Sequence, residues 1–408
     1  MIPSKSTVYQ RALLSVAIFL SLTVVWRALD PGQGPVADPS WSLWRGWARD
    51  TFPGHYDFGL SPHEARVAQE KRLRVWDTQT STCTANLSVM EKAWVRHVQA
   101  HIRQFLLYRH CRYFPILRNH PEKCAGKVYL LLAIKSGLPQ HSQRETIRKT
   151  WGREREAGGG RGAIRTLFLL GTGPGREALD LDSQLLATED SYHQDILQWD
   201  FLDSFFNLTL KEVNFLKWLD TFCPQVSFIF KGDDDVFVSP TNLLEFLQDR
   251  RPQENLLVGE VLDDARPIRA KRNKYYVPSA LYSKTFYPSY AAGGGYLMTR
   301  RLAHDLYLAS QTLELYPIDD VFQGMCLKVL RVRPMHHEGF KSFGITRFRE
   351  SHLNKDPCLF RSMLMVHKMQ PKEMLSMWDL VHRHLNCSHS FRFSNTEAVE
   401  EKKPKGIM

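Results

Sequence analysis

An α/β protein built on an open, largely parallel sheet is the fold class this sequence predicts, and three observations carry that expectation. From Val128 onward, short apolar runs rich in β-branched and aromatic residues alternate with longer stretches of helical spacing. Those stretches open on capping residues: Ser142 with Glu145 three positions on, and Ser239 before Pro240. Acidic and glycine-rich motifs adjoin the apolar runs, and ligands of open α/β sheets bind at the carboxyl ends of strands.

In chain order, the spacing predicts a helix over Val89–Tyr108 and a buried strand over Val128–Ile134, then a helix from Ser142. Strands follow at Arg165–Gly171 and Asp195–Trp199, and a helix over Leu208–Phe222. The strand Val226–Phe230 leads to the helix at Pro240, and Leu256–Gly259 is a strand again. Gly158–Gly162 and Gly171–Gly175 read as loops; the second lacks the Lys-Ser/Thr of a phosphate-binding loop.

The chain of 408 residues has 43% apolar and 24% charged residues, a globular composition, and a net charge of +11. Nucleic acid is not the expected partner, because no zinc-finger spacing, RNA-binding aromatic signature or dense basic arm accompanies the charge. The uncharged run from Ala12 has Lys5 and Arg11 before it and no small-residue cleavage site after it. We read 1–11 as a cytosolic tail, 12–29 as a transmembrane signal anchor and 30–82 as a stem. A helical, disulfide-containing segment is expected over 83–127, the catalytic body over 128–390 and a tail over 391–408. Three glycosylation sequons, at Asn86, Asn207 and Asn386, fit a lumenal body. Of seven cysteines, Cys111 and Cys124 are the first expected bridge, and the odd count leaves at least one free or pairing between chains. No CxxC pair suggests zinc.

Lys231-Gly232-Asp233-Asp234-Asp235 carries the chemistry. In extended backbone, Asp233 and Asp235 face one point while Asp234 faces away. Two hard oxygen donors at the end of a buried strand suit Mg²⁺ or Mn²⁺; a solvated acidic turn is the plainer alternative. Arg144 and Arg148 share a helix face near its N-terminus, as a diphosphate contact or as a solvated basic face. Gly293, Gly294 and Gly295 let backbone approach a ligand closely, or mark a strained turn into a strand. Asp319 and Asp320 open a further helix, as caps or as a general base. In His336-His337-Glu338-Gly339-Phe340 an imidazole completes a metal shell with Asp233 and Asp235, or the two histidines are a surface pair.

Together, Arg144-x-x-x-Arg148-x-x-Trp151, Asn207-Leu208-Thr209-Leu210-Lys211, Lys231 to Phe237, Ala292 to Tyr296, Asp319 to Gly324 and His337-x-Gly339-Phe340 resemble, in this order, the β-1,3-galactosyl/N-acetylglucosaminyltransferases. The resemblance spans about residues 110–385. It implies a type II Golgi membrane enzyme with a GT-A (Rossmann-like) nucleotide-sugar transferase domain. UDP-N-acetylglucosamine would be the donor, Mn²⁺ the cofactor, and a galactose-ended N-acetyllactosamine or keratan-sulfate-type chain the acceptor. It further implies Asp233, Asp235 and His337 as metal ligands, with Arg144, Arg148, Lys231, Asp233, Asp234 and Gly293–Gly295 at the donor. Asp320 is expected as the base, with Asp319 as the alternative. Ala292 stands where the family often has another glycine. The basic loop carrying Arg266, Arg269, Lys271, Arg272 and Lys274 suits a sulfated acceptor or is merely solvated. Competing functions are a β-1,3-galactosyltransferase using UDP-galactose, a non-catalytic glycan-binding protein on the same fold, and an acidic-site nuclease or nucleotidyl transferase.

Overall fold

Val128–Lys135 is buried along its whole length, as a strand covered on both faces must be. Its side chains divide by alternation. Leu131 and Ala133 enter one core, and Leu130, Leu132 and Ile134 the other. The computed structural model describes residues 83–173, 176–346, 348 and 351–387. The expected tail, anchor and stem (1–82) and the C-terminal tail (391–408) lie outside them. Among the described residues no helix is long and apolar enough to cross a membrane.

Twelve strands are described: β1 (Ile116–Arg118), β2 (Val128–Lys135), β3 (Arg155–Glu156), β4 (Ala163–Thr172), β5 (Ile196–Leu202), β6 (Phe228–Asp233), β7 (Val236–Val238), β8 (Leu257–Leu262), β9 (Tyr290–Thr299), β10 (Met335–His336), β11 (Phe340–Lys341) and β12 (Met365–His367). The α-helices are α1 (Ala100–Tyr108), α2 (His141–Lys149), α3 (Arg176–His193), α4 (Leu208–Phe222), α5 (Pro240–Phe246), α6 (Arg300–Thr312), α7 (Asp319–Leu330), α8 (Pro357–Ser362) and α9 (Pro371–His382).

The main sheet runs β1-β5-β4-β2-β6-β9-β8-β10, with β3 paired to β4. The four neighbours β5, β4, β2 and β6 are mutually parallel. β9 enters antiparallel to both β6 and β8, so the sheet is mixed rather than largely parallel. The chain winds from β2 outward to β4 and β5, then returns to β6 on the other side of β2. That reversal opens a crevice at the carboxyl ends of β2 and β6. A small second sheet, β11-β12-β7, stands beside it. One core holds α1, α4, α6 and α7; the other holds α2, α5, α8, α9 and the small sheet. Helix α4 is buried all round from Thr209 to Leu219, charged residues included.

The covalent links differ from the expected Cys111–Cys124 pair. Cys83 joins Cys111, bracketing α1, and Cys124 joins Cys223 at the end of α4. Cys358 joins Cys387, and Cys326 is free and buried. Sequence proximity misleads here. Helix α1 carries the chain back so that Cys111 meets Cys83, while Cys124 faces the far end of α4.

The Cys124–Cys223 bridge closes 99 residues and Cys83–Cys111 closes 28. Loop-closure entropy makes the longer link worth about 1 kcal/mol more. Replacing Cys124 and Cys223 by serine lowers the unfolding free energy more than the equivalent change at Cys83 and Cys111, as measured by chemical denaturation.

Candidate active site

Asp233 ends β6, and Asp235 is the second residue of the two-residue turn before β7. Their carboxylates share a side with a third group, the imidazole of His367. Its Nε2 lies 2.9 Å from Asp235 and 3.6 Å from Asp233. One donor atom from each of the three falls within 4.8 Å of the others. The ladder between β12 and β7 sets this up: His367 pairs in register with Val236, next to Asp235, and the Met369 amide donates to the Asp235 carbonyl. His367 Nδ1 donates to the Ser342 carbonyl at 2.9 Å, which turns Nε2 toward the carboxylates. Burial alone would lower the imidazole pKa, but Asp235 and Asp233 raise it above the ordinary value.

His337 is not part of this cluster. Its ring packs edge-on to Phe246 and Phe340, and its Nδ1 accepts from the Gly339 amide. Burial and the adjacent His336 push its pKa down to about 4. The tight turn between β10 and β11 holds it under α5, so the imidazole that joins the two carboxylates is that of His367 and not the expected His337.

Lys135, the last residue of β2, pairs in register with Asp233. Its ammonium reaches Asp233 at 2.8 Å, Asp319 at 3.1 Å and the Gly293 carbonyl at 3.2 Å. Burial works against that charge, but Asp233 and Asp319 raise its pKa well above the ordinary value. Asp319 is thereby engaged, and its carboxyl is held below the usual range by Lys135 against the effect of burial. Asp320 is half-buried, and its Oδ1 accepts from the Val321 amide at the start of α7. Burial, then the neighbouring Asp319 charge, raise its pKa to about 7. The two adjacent acids thus have different environments.

The three glycines lie inside β9 rather than in a turn. A Cβ on Gly293 would sit 3.3 Å from the Asp320 carboxylate, and one on Gly294 would sit 2.7 Å from His367 Nδ1. Their absent side chains make room for both functional groups. Gly295 faces Phe230 instead.

Arg144 and Arg148 are neither a diphosphate contact nor a solvated face. Arg144 is 1% exposed and makes a bidentate pair with Glu189 at 2.7 Å. Its remaining donors hold Ser136, Gly137 and Leu138 just after β2. Arg148 makes a bidentate pair with Asp195 at 2.8 Å and also reaches Glu189. Burial would raise the Glu189 carboxyl, but Arg144, His141 and Arg148 bring it down to about 2. Lys231 is likewise consumed, in a buried pair with Glu212 beside the Tyr296 ring. Asp234 points away from Asp233 and Asp235, accepting from Ser136 Oγ at 2.7 Å. Burial and its two acidic neighbours raise it to about 6.

Lys135, Ser136, Asp203, Lys211 and His367 belong to the site although the motif reading did not assign them roles. Lys211 donates to the Ser136 carbonyl and to Asp203, and Asp203 accepts from the Gly171 amide. A lysine ending an otherwise apolar strand was the one visible signal for Lys135.

The galactosyltransferase family model matches residues 142–338, a stretch that holds the acidic triplet, the strand glycines and Asp319–Asp320 and stops short of His367. With the relatives that follow, this match places the chain among the glycosyltransferases. A rat protein named UDP-GlcNAc:βGal β-1,3-N-acetylglucosaminyltransferase 7 is 55% identical over 95% of this chain and 98% of its own length. Human N-acetyllactosaminide β-1,3-N-acetylglucosaminyltransferase 3 is 44% identical over 75% of this chain and 82% of its own. The chain belongs to the β-1,3-N-acetylglucosaminyltransferases of the galactosyltransferase family. The solved structure of galactosyltransferase LgtC with donor and acceptor sugar analogues is 11% identical, with a TM-score of 0.34, over 63% of this chain and 98% of that one; so slight a likeness adds nothing to the assignment.

If the Asp233–Asp235–His367 cluster holds a divalent cation, His367→Ala is expected to weaken binding of a Mn²⁺ probe by about 10-fold or more, and His337→Ala to leave it near wild type. Gly294→Ala, by displacing His367, moves it in the same direction as His367→Ala. Titration of each protein with Mn²⁺, followed by calorimetry, reads all three.

Proposed function

We propose that this protein transfers N-acetylglucosamine from UDP-N-acetylglucosamine to the 3-hydroxyl of a terminal β-galactose, with inversion, extending N-acetyllactosamine chains. Membership in the β-1,3-N-acetylglucosaminyltransferases supports the donor and the linkage. The observation that carries the mechanism is the placement of the Asp320 carboxylate against Gly293 of β9, whose carbonyl and Asp233 share the Lys135 ammonium, with its pKa raised by burial and by Asp319. A base with a pKa near the working pH combines availability with proton affinity.

The two carboxylates and the Nε2 lone pair, partly exposed and oriented by the Ser342 carbonyl, fit a borderline-hard divalent cation such as Mn²⁺. Such an ion, when bound, supplies positive charge against the diphosphate of the departing UDP. In this reading Asp320 takes the proton of the galactose 3-hydroxyl as its oxygen attacks the anomeric carbon, and the sugar–phosphate bond breaks. Lys135 keeps Asp319 charged and tied to Asp233, so the proton goes to Asp320. Arg144 and Lys211 act at one remove, fixing the Ser136–Leu138 corner that borders the donor crevice. We take the domain to be GT-A.

The compartment follows from covalent chemistry. Three disulfides suit an oxidising lumen, and with the apolar segment 12–29 they support a type II Golgi membrane enzyme. Asn86 and Asn386 are exposed. Asn207 is buried with its amide donating to the Leu202 carbonyl, so this sequon is a structural hydrogen bond rather than a glycan site. A sulfated acceptor is supported by the exposed positions Arg266, Lys271 and Arg272. Arg269 is tied instead to the Val277 and Tyr282 carbonyls.

UDP release by the full chain with Mn²⁺ and N-acetyllactosamine tests the reading; release with UDP-galactose but not with UDP-N-acetylglucosamine would overturn it. Asp320→Asn lowers kcat by about 10²- to 10⁴-fold, whereas Asp320→Glu retains more activity than the amide. Because the base works deprotonated, kcat/KM falls as pH drops below about 7. Joint replacement of Arg266, Lys271 and Arg272 by Gln raises KM for a sulfated acceptor more than for its unsulfated counterpart.

A further inference from the structure

The Ser342 carbonyl that orients His367 must itself be held in place, and the ladder of the small sheet does not reach it. The parallel pairing of β11 with β12 ends at Lys341 and Val366, one residue short of Ser342 and His367 on their own strands. Beyond that point a side chain takes over, with His367 Nδ1 donating to the Ser342 carbonyl at 2.9 Å. The Ser342 hydroxyl gives no anchor, being buried without a hydrogen-bond partner among the described residues. The anchor is the Ser342 amide, which donates to Glu260 Oε2 of β8.

Glu260 stands where the main sheet is irregular. The β8–β9 register passes from Gly259 opposite Tyr296 to Val261 opposite Ala291, so Glu260 faces the whole stretch Ala292–Gly295. Irregularities of this kind re-aim a side chain. No lysine, arginine or histidine of the described residues pairs with the Glu260 carboxylate, and the lysine next to Ser342, Lys341, reaches Glu338 at 2.9 Å instead. A backbone N–H given to a carboxylate is a strong, directional hydrogen bond. The main sheet thus governs the imidazole from two adjacent strands. Gly294 of β9 leaves it room, since a Cβ there would lie 2.7 Å from Nδ1, and Glu260 of β8 fixes where the accepting carbonyl stands.

We propose that Glu260 is a positioning residue for divalent-cation binding, acting through the Ser342 backbone and the His367 ring. The inference rests on the reading of Asp233, Asp235 and His367 as a cation site. Glu260 fixes the Ser342 amide, the Ser342 carbonyl takes the Nδ1 proton, and the Nε2 lone pair is left facing Asp235 and Asp233. The torsion that turns an imidazole about its Cβ–Cγ bond has a broad energy well. Without a fixed acceptor for Nδ1, the ring swings and its lone pair leaves the two carboxylates. Partners that orient a ligating histidine in this way tune the affinity of the site without touching the ion.

The experiment is a double-mutant cycle on the full chain, read as the Kd for Mn²⁺ by calorimetry in the absence of any sugar nucleotide. Glu260→Ala is expected to raise Kd about 3- to 10-fold, somewhat less than loss of a direct histidine partner. Glu260→Gln keeps an acceptor for the Ser342 amide and holds Kd within about 2-fold of wild type. In a His367→Ala background, Glu260→Ala changes Kd by less than about 2-fold, because the route through the ring is already gone. Pulsed electron paramagnetic resonance of bound Mn²⁺ shows the imidazole nitrogen coupling in wild type and a weakened coupling in Glu260→Ala. Should Glu260→Ala fail to fold, Glu260→Asp draws the carboxylate back by one methylene and is read in the same way. Equal losses in both backgrounds, a Glu260→Gln as weak as the alanine variant, or no loss at all overturn the positioning role and leave the cation site standing. No Mn²⁺ binding by the wild-type chain sinks the cation site itself.

Discussion

A buried ammonium between two carboxylates is the interaction on which the site depends. Lys135 closes the space between Asp233, at the end of one strand, and Asp319, at the start of a helix nearly a hundred residues later. Five aspartates, three in the triplet and two at α7, converge on one crevice. Left to themselves they would repel one another and take up protons. Lys135 stabilises Asp233 and Asp319 as charges, Ser136 accommodates Asp234, and His367 meets Asp235. Asp320 is left with the least compensation, and burial together with the Asp319 charge raises its pKa. The base proposed here is thus the least compensated member of the cluster.

The second constraint is space. β9 must run between β6 and β8 while Asp320 and His367 approach it from the sides, and this is feasible only where the strand lacks side chains. Gly293 and Gly294 meet the two functional groups, and Gly295 meets the Phe230 ring. Glycine weakens a strand by losing packing and adding unfolded-state entropy. The flanking ladder from Tyr296 to Thr299, wholly buried, carries the strand past that weakness. The close approach first ascribed to a ligand is thus satisfied in part within the protein.

The third is the charge buried behind the site. Arg144, Arg148, Glu189 and Asp195 form a network that cross-links α2, α3 and the entry to β5. Buried ion pairs of this kind add little net stability, because desolvation offsets their attraction. Their directionality is what matters: the guanidinium of Arg144 has donors left for the Gly137 and Leu138 carbonyls, and so holds the corner that follows β2.

Most strand and helix segments, the alternating α/β order and the facing of Asp233 and Asp235 away from Asp234 were legible in the sequence, because each depends on neighbours a few residues apart. The helix expected over Val89–Tyr108 is instead two short 3-10 turns followed by α1 from Ala100, and Ser142 lies inside α2 rather than capping it. Asp319 and Asp320 were found as a pair, but not told apart. What distinguishes them is a lysine from β2, placed by sheet register. The same limit explains the other differences. Arg144 and Arg148 share a helix face as their spacing says, yet that face turns inward to Glu189 and Asp195. His337 follows a metal-like pattern and is held under α5, while His367, in a short strand with no motif, is carried to Asp235 by the β12–β7 ladder. Cys111 finds Cys83 rather than Cys124 because α1 reverses the chain. The sequence by itself determined which local segments form and which residue types they carry. Tertiary structure alone decided which charges meet, because proximity across a sheet is set by strand order and register, which no local pattern encodes.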